Sequence, residues 1–555
     1  MNPKEIVNRY ENLKSERRSW DYQAELIERF VIPGKGRFFQ DGNDSENSIN
    51  WRHRELYDQT APNMLVLLAS NLHSGLMNPS SVWFSPRLSD PTLGNQHDEQ
   101  EWLDECGLRM HRSLNGSNLH VESNELFQDA VGFGTGVQIH EEADENELLD
   151  QFGGHVFSTP MAREIYFDED WRGNIVRLFR RRQYTAIQLI DKFGRAALPQ
   201  EILDMNDGDR FGEKIDVVFA VYPRRDDWRM VDVSRYLAPK ARPWEGKYVI
   251  YETREQIGPT YGYHEMPAYV LRWQRTAGSK FGHSPGINTL SDVLSLNQLR
   301  EMLHEATEKA TDPPLQTVQR GVIGDLETFS GGLTVTRGKD SIGPLVDPRF
   351  YRVDVGFRDL DDVRNSIREA FFVDQLQLKD SPQMTATEVR ARMELMQRFL
   401  GPVLNRIKSD YLDPLVDHTF WMMARKGALP PPPPSLEDKR YDIEYLGPLA
   451  RAQRLGDVEA IERLYVTAAS IAEIKPEVLD NIDHDEALRH SGHVLGVPAK
   501  IMKSDADLKR MRRARKQEQD QAKVVAAAPE LAGAAKDAAQ AQRLLDVTPG
   551  VGGVQ

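Results

Sequence analysis

At Ser284-Pro285 the hydrophobic period of the chain changes from two to between three and four. Serine is a strong N-cap and proline suits the first helical position, where the amide hydrogen it lacks would have no intrahelical partner. Ile287, Leu290, Val293, Leu296, Leu299, Leu303 and Ala306 then follow helical steps until Asp312-Pro313-Pro314 stops them. At 1.5 Å per residue this predicts a helix roughly 37 Å long. A stretch of strand and turn character comes next (LQTVQRGVIG, SGGLTVTRG, PLVDPRFYRVDV), and a second helix opens near Phe357 with Leu360, Val363, Ile367 and Phe371 on one face. Two helices therefore bracket a small β insertion, and such a hairpin alone cannot bury apolar stripes on both of its sides.

The flanking segments predict an α+β fold. Upstream, residues 136–273 carry short alternating runs such as IDVVFAVYP, WRMVDVSRYL, KYVIYETRE and YVLRW, which read as antiparallel strands. The first 130 residues are mainly helical in pattern; an apolar helix running from Pro62 stops at Asn78-Pro79, before a Trp83-Phe84 strand. Downstream of the second helix, LKDSPQMTATE (378–388) is a polar break. Thr385 and Glu388 have capping-box spacing and start a third helix, which continues through Val389, Met393, Met396, Leu400, Leu404, Ile407 and Tyr411, with a kink expected at Gly401-Pro402. Pro430 to Pro434 form a stiff polyproline spacer, with an SH3-type ligand as the alternative reading. YDIEYL reads as a strand, residues 450–472 and 477–495 as helices, and the segment from Ser504 as a charged, then alanine-rich helix.

Composition and motifs narrow the function. The 555 residues predict two to four domains. No apolar run approaches the roughly 20 residues of a membrane span, and the charged start has no signal segment, so synthesis and use in the cytosol are expected. Cys106, the only cysteine, excludes a disulfide framework or multi-cysteine zinc site and is expected to be a small buried residue. The excess of 85 acidic over 70 basic residues argues against a protein that grips duplex DNA, though not against one that DNA slides past. GFGTGV (132–137) lacks dinucleotide-loop spacing and reads as a strand turn; GLTVTRGKD (332–340) misses Walker spacing and reads as a hairpin turn. His484 and His490 fall on opposite helix faces, with His493 beyond them, and the pairs Asp168/Asp170 and Asp361/Asp362 read as ordinary surface carboxylates. Residues 503–523 hold eight basic and four acidic side chains, which suits a solvated face as well as a nucleic-acid contact. No catalytic constellation, metal site or cofactor is expected.

Five local signatures accompany this order of elements: RYENLKSERRSWDYQAELIERFVIP, LLASNLHSGLMNPSSVWF, GSKFGHSPGINTLSDVLSLNQLRE, MTATEVRARM and YLGPLARAQR. Together they resemble the portal proteins of tailed bacteriophages, the head-to-tail connectors of short-tailed, podovirus-type phages. The resemblance implies a non-enzymatic ring, usually a dodecamer, assembled in the host cytoplasm and seated in the virion at one capsid vertex. Double-stranded DNA would be packaged and ejected through its channel. Implied partners are the terminase large subunit, tail adaptor or nozzle proteins, and the major capsid and scaffold proteins. The implied fold has an α/β wing (1–285 with the kinked helix and Pro-rich return, 385–446), a two-helix stem (286–311 and 356–376), a small β-containing clip (312–355), a helical crown (447–503) and a C-terminal barrel or tail (504–555).

Residues 377–384 would be the tunnel loop beside the moving duplex, with Gln377, Lys379, Asp380, Ser381 and Gln383 lining the channel. Lys379 is either a cation that approaches phosphates or a solvated lysine. In the clip, Arg320, Arg337 and Lys339 are candidates for docking an acidic partner face, or are merely solvated. An acidic lumen with few cations would repel the duplex toward the axis and avoid stalling it. The rival readings are a virion scaffold or tail protein that forms no ring, and a nucleic-acid-processing enzyme.

Overall fold

The computed structural model describes residues 1–35, 56–88, 97–143, 152–208, 210, 212–224, 228–231, 236–276, 278–312, 314–317, 322–326, 334–338, 341–344, 353–373, 401–434, 441–445, 448–472, 475–495, 501–503, 507–521, 536 and 538. It combines helices with antiparallel sheets, the α+β class expected. The chain divides into two compact units, the first comprising 1–85, 106–431 and 443–456, the second 86–105, 432–442 and 457–555.

Helix α1 (Pro3–Phe30) opens on a capping box: Asn2 Oδ1 accepts from the Glu5 amide at 2.8 Å while the Glu5 carboxylate receives the Asn2 amide at 2.9 Å. Helix α2 (Thr60–Leu76) buries Leu65, Leu68, Ala69 and Leu72 and ends before Asn78-Pro79, as the helix-stopping pair predicts. After strand β1 (Phe84–Leu88) come α3 (His97–Asn115), where Cys106 is buried, and α4 (Leu119–Phe133).

Strands β2 (Thr135–Glu142) and β3 (His155–Ser158) join the later β9 (Ala268–Arg272) in a three-stranded sheet of order β3-β2-β9. Between them the chain builds a five-stranded meander from β4 (Ile165–Glu169), β5 (Ile175–Thr185), β6 (Lys214–Pro223), β7 (Trp244–Ile250) and β8 (Gln256–Tyr263). Helices α5 (Ala186–Phe193) and α6 (Gln200–Asp207) lie between β5 and β6 in sequence. Side chains alternate across a strand, so Val217, Phe219 and Val221 of β6 pack with Ala186, Leu189 and Ile202, whereas Val218, Ala220 and Tyr222 pack with Ile6, Val7 and Tyr10 of α1. Burial on both faces explains why IDVVFAVYP is nearly continuous in apolar residues instead of alternating with polar ones.

Part of the expected strand WRMVDVSRYL is different: Trp228–Met230 form a 3-10 turn, and residues 232–235 lie outside the described residues. Trp228 packs edge-on against Trp244 of β7 at 4.6 Å, so the aromatic covers the sheet.

The single helix expected from Ser284 is two. Ser284 caps α7 (Pro285–Asn288), accepting from the Ile287 amide at 3.3 Å, and α8 (Leu290–Thr311) follows after Thr289, whose backbone (φ −93°, ψ 3°) leaves the helical region. The short α7 is held against the end of α4, where the Ser284 hydroxyl donates to the Gly132 carbonyl at 2.8 Å. Gly286 lies so close that a Cβ there would stand 2.6 Å from the same oxygen. At 22 residues, α8 is about 33 Å long.

Helix α9 (Val353–Ala370) starts before Phe357 and ends before residue 376; Phe372 has φ 58°, which a continuing helix cannot accommodate. Between α8 and α9, Leu315–Thr317 pairs with Ile342–Pro344, and Val322–Ile323 with Val335–Thr336, both antiparallel. The latter pairing makes Val335–Thr336, within GLTVTRGKD, a strand where a turn was expected; residues 332, 333, 339 and 340 of that stretch lie outside the described residues. Residues 401–407 are helical; the described irregularity is a π turn at Lys408–Leu412 immediately before α10 (Asp413–Arg425).

In the second unit, Arg87 pairs with Asp104 at 3.1 Å, and Arg512 forks onto Asp485 at 2.5 and 2.7 Å. His484 is hydrogen-bonded to the Tyr465 hydroxyl at 2.9 Å, and both it and Glu486 belong to a helix over His484–Leu495, within the expected 477–495. Among the described residues no helix is long and apolar enough to cross a membrane, and no group of three or more acidic, histidine or cysteine side chains is arranged to hold a metal.

Candidate assembly surface: the helix pair and its insertion

Helices α8 and α9 pack through Val293, Leu296 and Leu303 on one and Leu360 and Ile367 on the other, with Phe371 buried just beyond. The approach is closest at Gly356, where a Cβ would stand 2.4 Å from Leu303 Cδ2. Polar ties fix the pair to the segment entering α2. Arg364 donates to Asp58 Oδ2 through Nε at 3.0 Å and Nη2 at 2.6 Å, and Asn297 Oδ1 accepts from the Tyr57 amide at 2.8 Å. Burial opposes ionisation of Asp58, but donation from Thr60 and the Arg364 guanidinium outweigh it and hold the carboxyl below the usual carboxylate range.

The rest of this surface is open. Met302 on α8 is 56% exposed, Phe357 on α9 is exposed, and so are Leu315, Ile323, Leu326 and Val335 in the insertion. The two helices together hold nine carboxylates and five basic residues. One face of the pair is thus tied into the first unit, while the other presents apolar and mainly acidic side chains.

Of the site residues expected from the sequence, only Arg337 falls within the described residues. It is exposed at the bend that follows Val335–Thr336. Arg320 and Lys339, the tunnel-loop residues Gln377, Lys379, Asp380, Ser381 and Gln383, and the cap residues Thr385 and Glu388 lie outside them.

A sequence profile described as bacteriophage head to tail connecting protein matches residues 3–502. The chain belongs to that family. It is 29% identical to a probable portal protein of Bordetella phage BPP-1 over 94% of this chain and 92% of the relative. It is also 25% identical to a portal protein of Salmonella phage epsilon15, over 97% and 95% respectively. The chain's role is that of a portal, or head-to-tail connector, and it is a structural one.

The connector's most elaborate polar arrangement is one that sequence reasoning missed. His140 Nε2 lies 2.9 Å from His155 Nδ1, and His140 Nδ1 lies 2.7 Å from the Tyr269 hydroxyl. That hydroxyl is 3.0 Å from His418 Nδ1, and His418 Nε2 is 3.5 Å from Glu265, which also pairs with Arg425. Burial holds His155 down at about 4 and His418 at about 3, keeps His140 well below its ordinary value, and pushes Glu265 up to about 7. Nearby, the Tyr411 hydroxyl in the π turn donates to Gln138 at 2.9 Å and meets the Ser123 hydroxyl at 2.6 Å. The arrangement ties α10 and the π turn to β2, β3, β9 and α4. His140 bonds to His155 and both it and His418 to Tyr269, all within the fold, which suits a structural joint. Its members are scattered from 123 to 425, so no local spacing announces them.

Asp168 departs from the surface carboxylate expected. It is buried and receives Arg9 at 2.8 Å and Arg177 at 3.1 Å. Arg9 comes from α1, packed on the sheet, a partner invisible in the local sequence. GFGTGV is a turn, as expected, joining α4 to β2 through Gly134.

Proposed function

We propose that the chain assembles as a ring, a dodecamer, at one capsid vertex, and that double-stranded DNA passes through its channel during packaging and ejection. The observation that carries this reading is the α8–α9 pair: it is anchored on one face and exposed on the other, where apolar side chains require a neighbour and the acidic excess suits a lumen that repels the duplex. In this reading 1–285 with 385–446 form the wing, 286–311 and 356–376 the stem, 312–355 the clip, 447–503 the crown and 504–555 a C-terminal barrel or tail. The clip docks the terminase large subunit and then a tail adaptor or nozzle protein, with Arg320, Arg337 and Lys339 facing the partner. Capsid and scaffold proteins surround the ring, which forms in the host cytoplasm. The tunnel loop 377–384 meets the DNA, with Lys379 as its cation and Thr385 and Glu388 capping the helix behind it.

Negative-stain images of the purified full-length protein test the ring, and light scattering showing only monomer at micromolar concentration and ordinary ionic strength would overturn it. Deleting residues 380–383 tests the loop. Rings should still form but lose packaged DNA in a reconstituted packaging reaction, and normal filling with normal retention would remove the loop from the channel.

A further inference from the structure

The hairpin between β4 and β5 ends in a rigid tip with an outward tryptophan. Trp171 is 82% exposed, and the Arg172 guanidinium lies 4.5 Å from its ring centre. The tip is held from beneath by Asp170, whose Oδ1 accepts from the backbone amides of Arg172 and Asn174, each at 2.8 Å, and whose Oδ2 receives Arg229 at 2.6 Å. Gly173, at φ +85°, lets the turn close against Arg275, where a Cβ would overlap the guanidinium. A large aromatic on a pre-organised turn is the type of side chain that dominates protein interfaces, since little ordering entropy is lost on docking.

Elsewhere in the same unit lies a groove of about 1060 Å³. Leu65 is buried in it, and Val66, Val121 (66% exposed) and Met161 are exposed along it. Lys35 at one end is bound by the buried Asp129 at 2.8 Å and stands 3.8 Å from Glu125, whose carboxylate remains about half exposed. The groove therefore offers apolar walls with an available anionic group, complementary to an indole beside a guanidinium.

One rim of the groove and the tip lie at opposite ends of one strand. Met161 leads through the turn Ala162–Glu164 into β4, and β4 ends at Glu169, next to the tip. Five residues of strand span about 17 Å. A knob and a groove on different parts of one subunit, with complementary shape and charge, allow head-to-tail contact between copies, the kind of interface that closes rings.

We propose that the Trp171–Arg172 tip of each subunit seats in the Leu65–Val66–Val121–Met161 groove of a second copy of this chain, with Arg172 facing Glu125. The proposal rests on the ring reading for its symmetry and adds the contact that closes it.

The test uses full-length protein, in which Cys106 is the only cysteine and is buried. A chain carrying both Trp171→Cys and Val121→Cys should give a ladder of disulfide-linked multimers on oxidation, whereas each single variant should not. Trp171→Ala should raise the concentration needed for half-assembly about thirtyfold with an unchanged melting temperature. Arg172→Glu should weaken assembly, and adding Glu125→Arg should restore it. A double-cysteine chain that gives no linked multimers, or that closes only within one chain, overturns the proposal, as do rings in Trp171→Ala that form at the wild-type concentration. Should the wild-type protein form no rings, the ring reading falls by itself, and the presence or absence of linked pairs at high concentration still decides the contact.

Discussion

The sheet platform and the helix pair use polar residues in opposite ways. The platform closes them inside: His155, His140, Tyr269 and His418 bond in sequence beneath both sheet and helix, and β6 is covered on both faces. The helix pair buries one apolar seam and fixes itself with Arg364–Asp58, but leaves Met302, Phe357 and the insertion's Ile323 and Val335 in solvent. The platform pairs most of its buried polar groups internally, with His155 Nε2 and Gln138 Nε2 as exceptions, so its residues mostly determine the fold. The helix pair and insertion leave apolar side chains exposed, which is the capacity that the ring reading assigns to neighbouring molecules.

This contrast can be broken most directly at Gly134. It sits at φ +78°, and a Cβ there would stand 2.1 Å from the Gly282 carbonyl oxygen, with rigid backbone on both sides. Gly134→Val should cost about 4 kcal/mol or more, read as loss of soluble folded protein or a collapsed urea midpoint.

The next effect is a pH dependence confined to the platform. His155 and His418 are neutral in the fold with values near 4 and 3, against 6.5 ordinarily, so their contribution is complete above pH 6.5 and is lost as pH falls toward those values. Glu265, raised to about 7, has the opposite slope: its contribution is present below 4.5 and is lost as pH rises through 7. The buried histidines, including His140, outnumber it. Between pH 7 and 5 the melting transition of the first unit should therefore drop by about 5–10 °C. Hydrogen exchange over 413–425 should rise with it; a flat profile would mean that the histidine chain is not closed.

Gly356→Val in the helix pair should be milder than its platform counterpart. The atom in the way is the flexible end of Leu303, so a loss of about 1–3 kcal/mol is expected, measured by urea unfolding. A cost equal to that at Gly134 would remove the distinction between the regions. The smallest folding effect belongs to the insertion, where Arg337→Glu, with or without Arg320→Glu and Lys339→Glu, should change stability by no more than about 0.5 kcal/mol. Binding of terminase or adaptor to the rings should weaken, and unchanged binding would return these residues to plain solvation.

Elements whose causes are local were legible in the sequence. Ser284-Pro285 announces a helix start, Asn78-Pro79 a helix stop, and IDVVFAVYP a strand, because caps, missing amide hydrogens and pleats act within a few residues. Thr289 was read through as part of one helix because its break depends on α7 being held by Gly132, more than 150 residues earlier. Asp168 was read as exposed for the same reason, since Arg9 reaches it from the first helix. The histidine chain was illegible altogether: each ring looks ordinary until the fold brings 140, 155 and 418 together. In the helix pair, the seam residues Leu360 and Ile367 could be read from their spacing, whereas its tie through Asp58 could not.

The pairing of β2 with β9 also sets an order in time. Thr135 meets Arg272, so the smaller sheet is incomplete while the ribosome is still adding the meander between them. Its polar joint waits longer, because Tyr411 and His418 emerge more than 130 residues after β9. At bacterial rates of about 5–20 residues per second, that delay is on the order of ten seconds. Throughout it Tyr269 lacks His418, and Gln138 and Ser123 lack Tyr411, so a nascent subunit meeting a finished one would meet it with the platform unsealed. Completion of α10 thus divides a chain that is still folding from one whose sheet platform is complete.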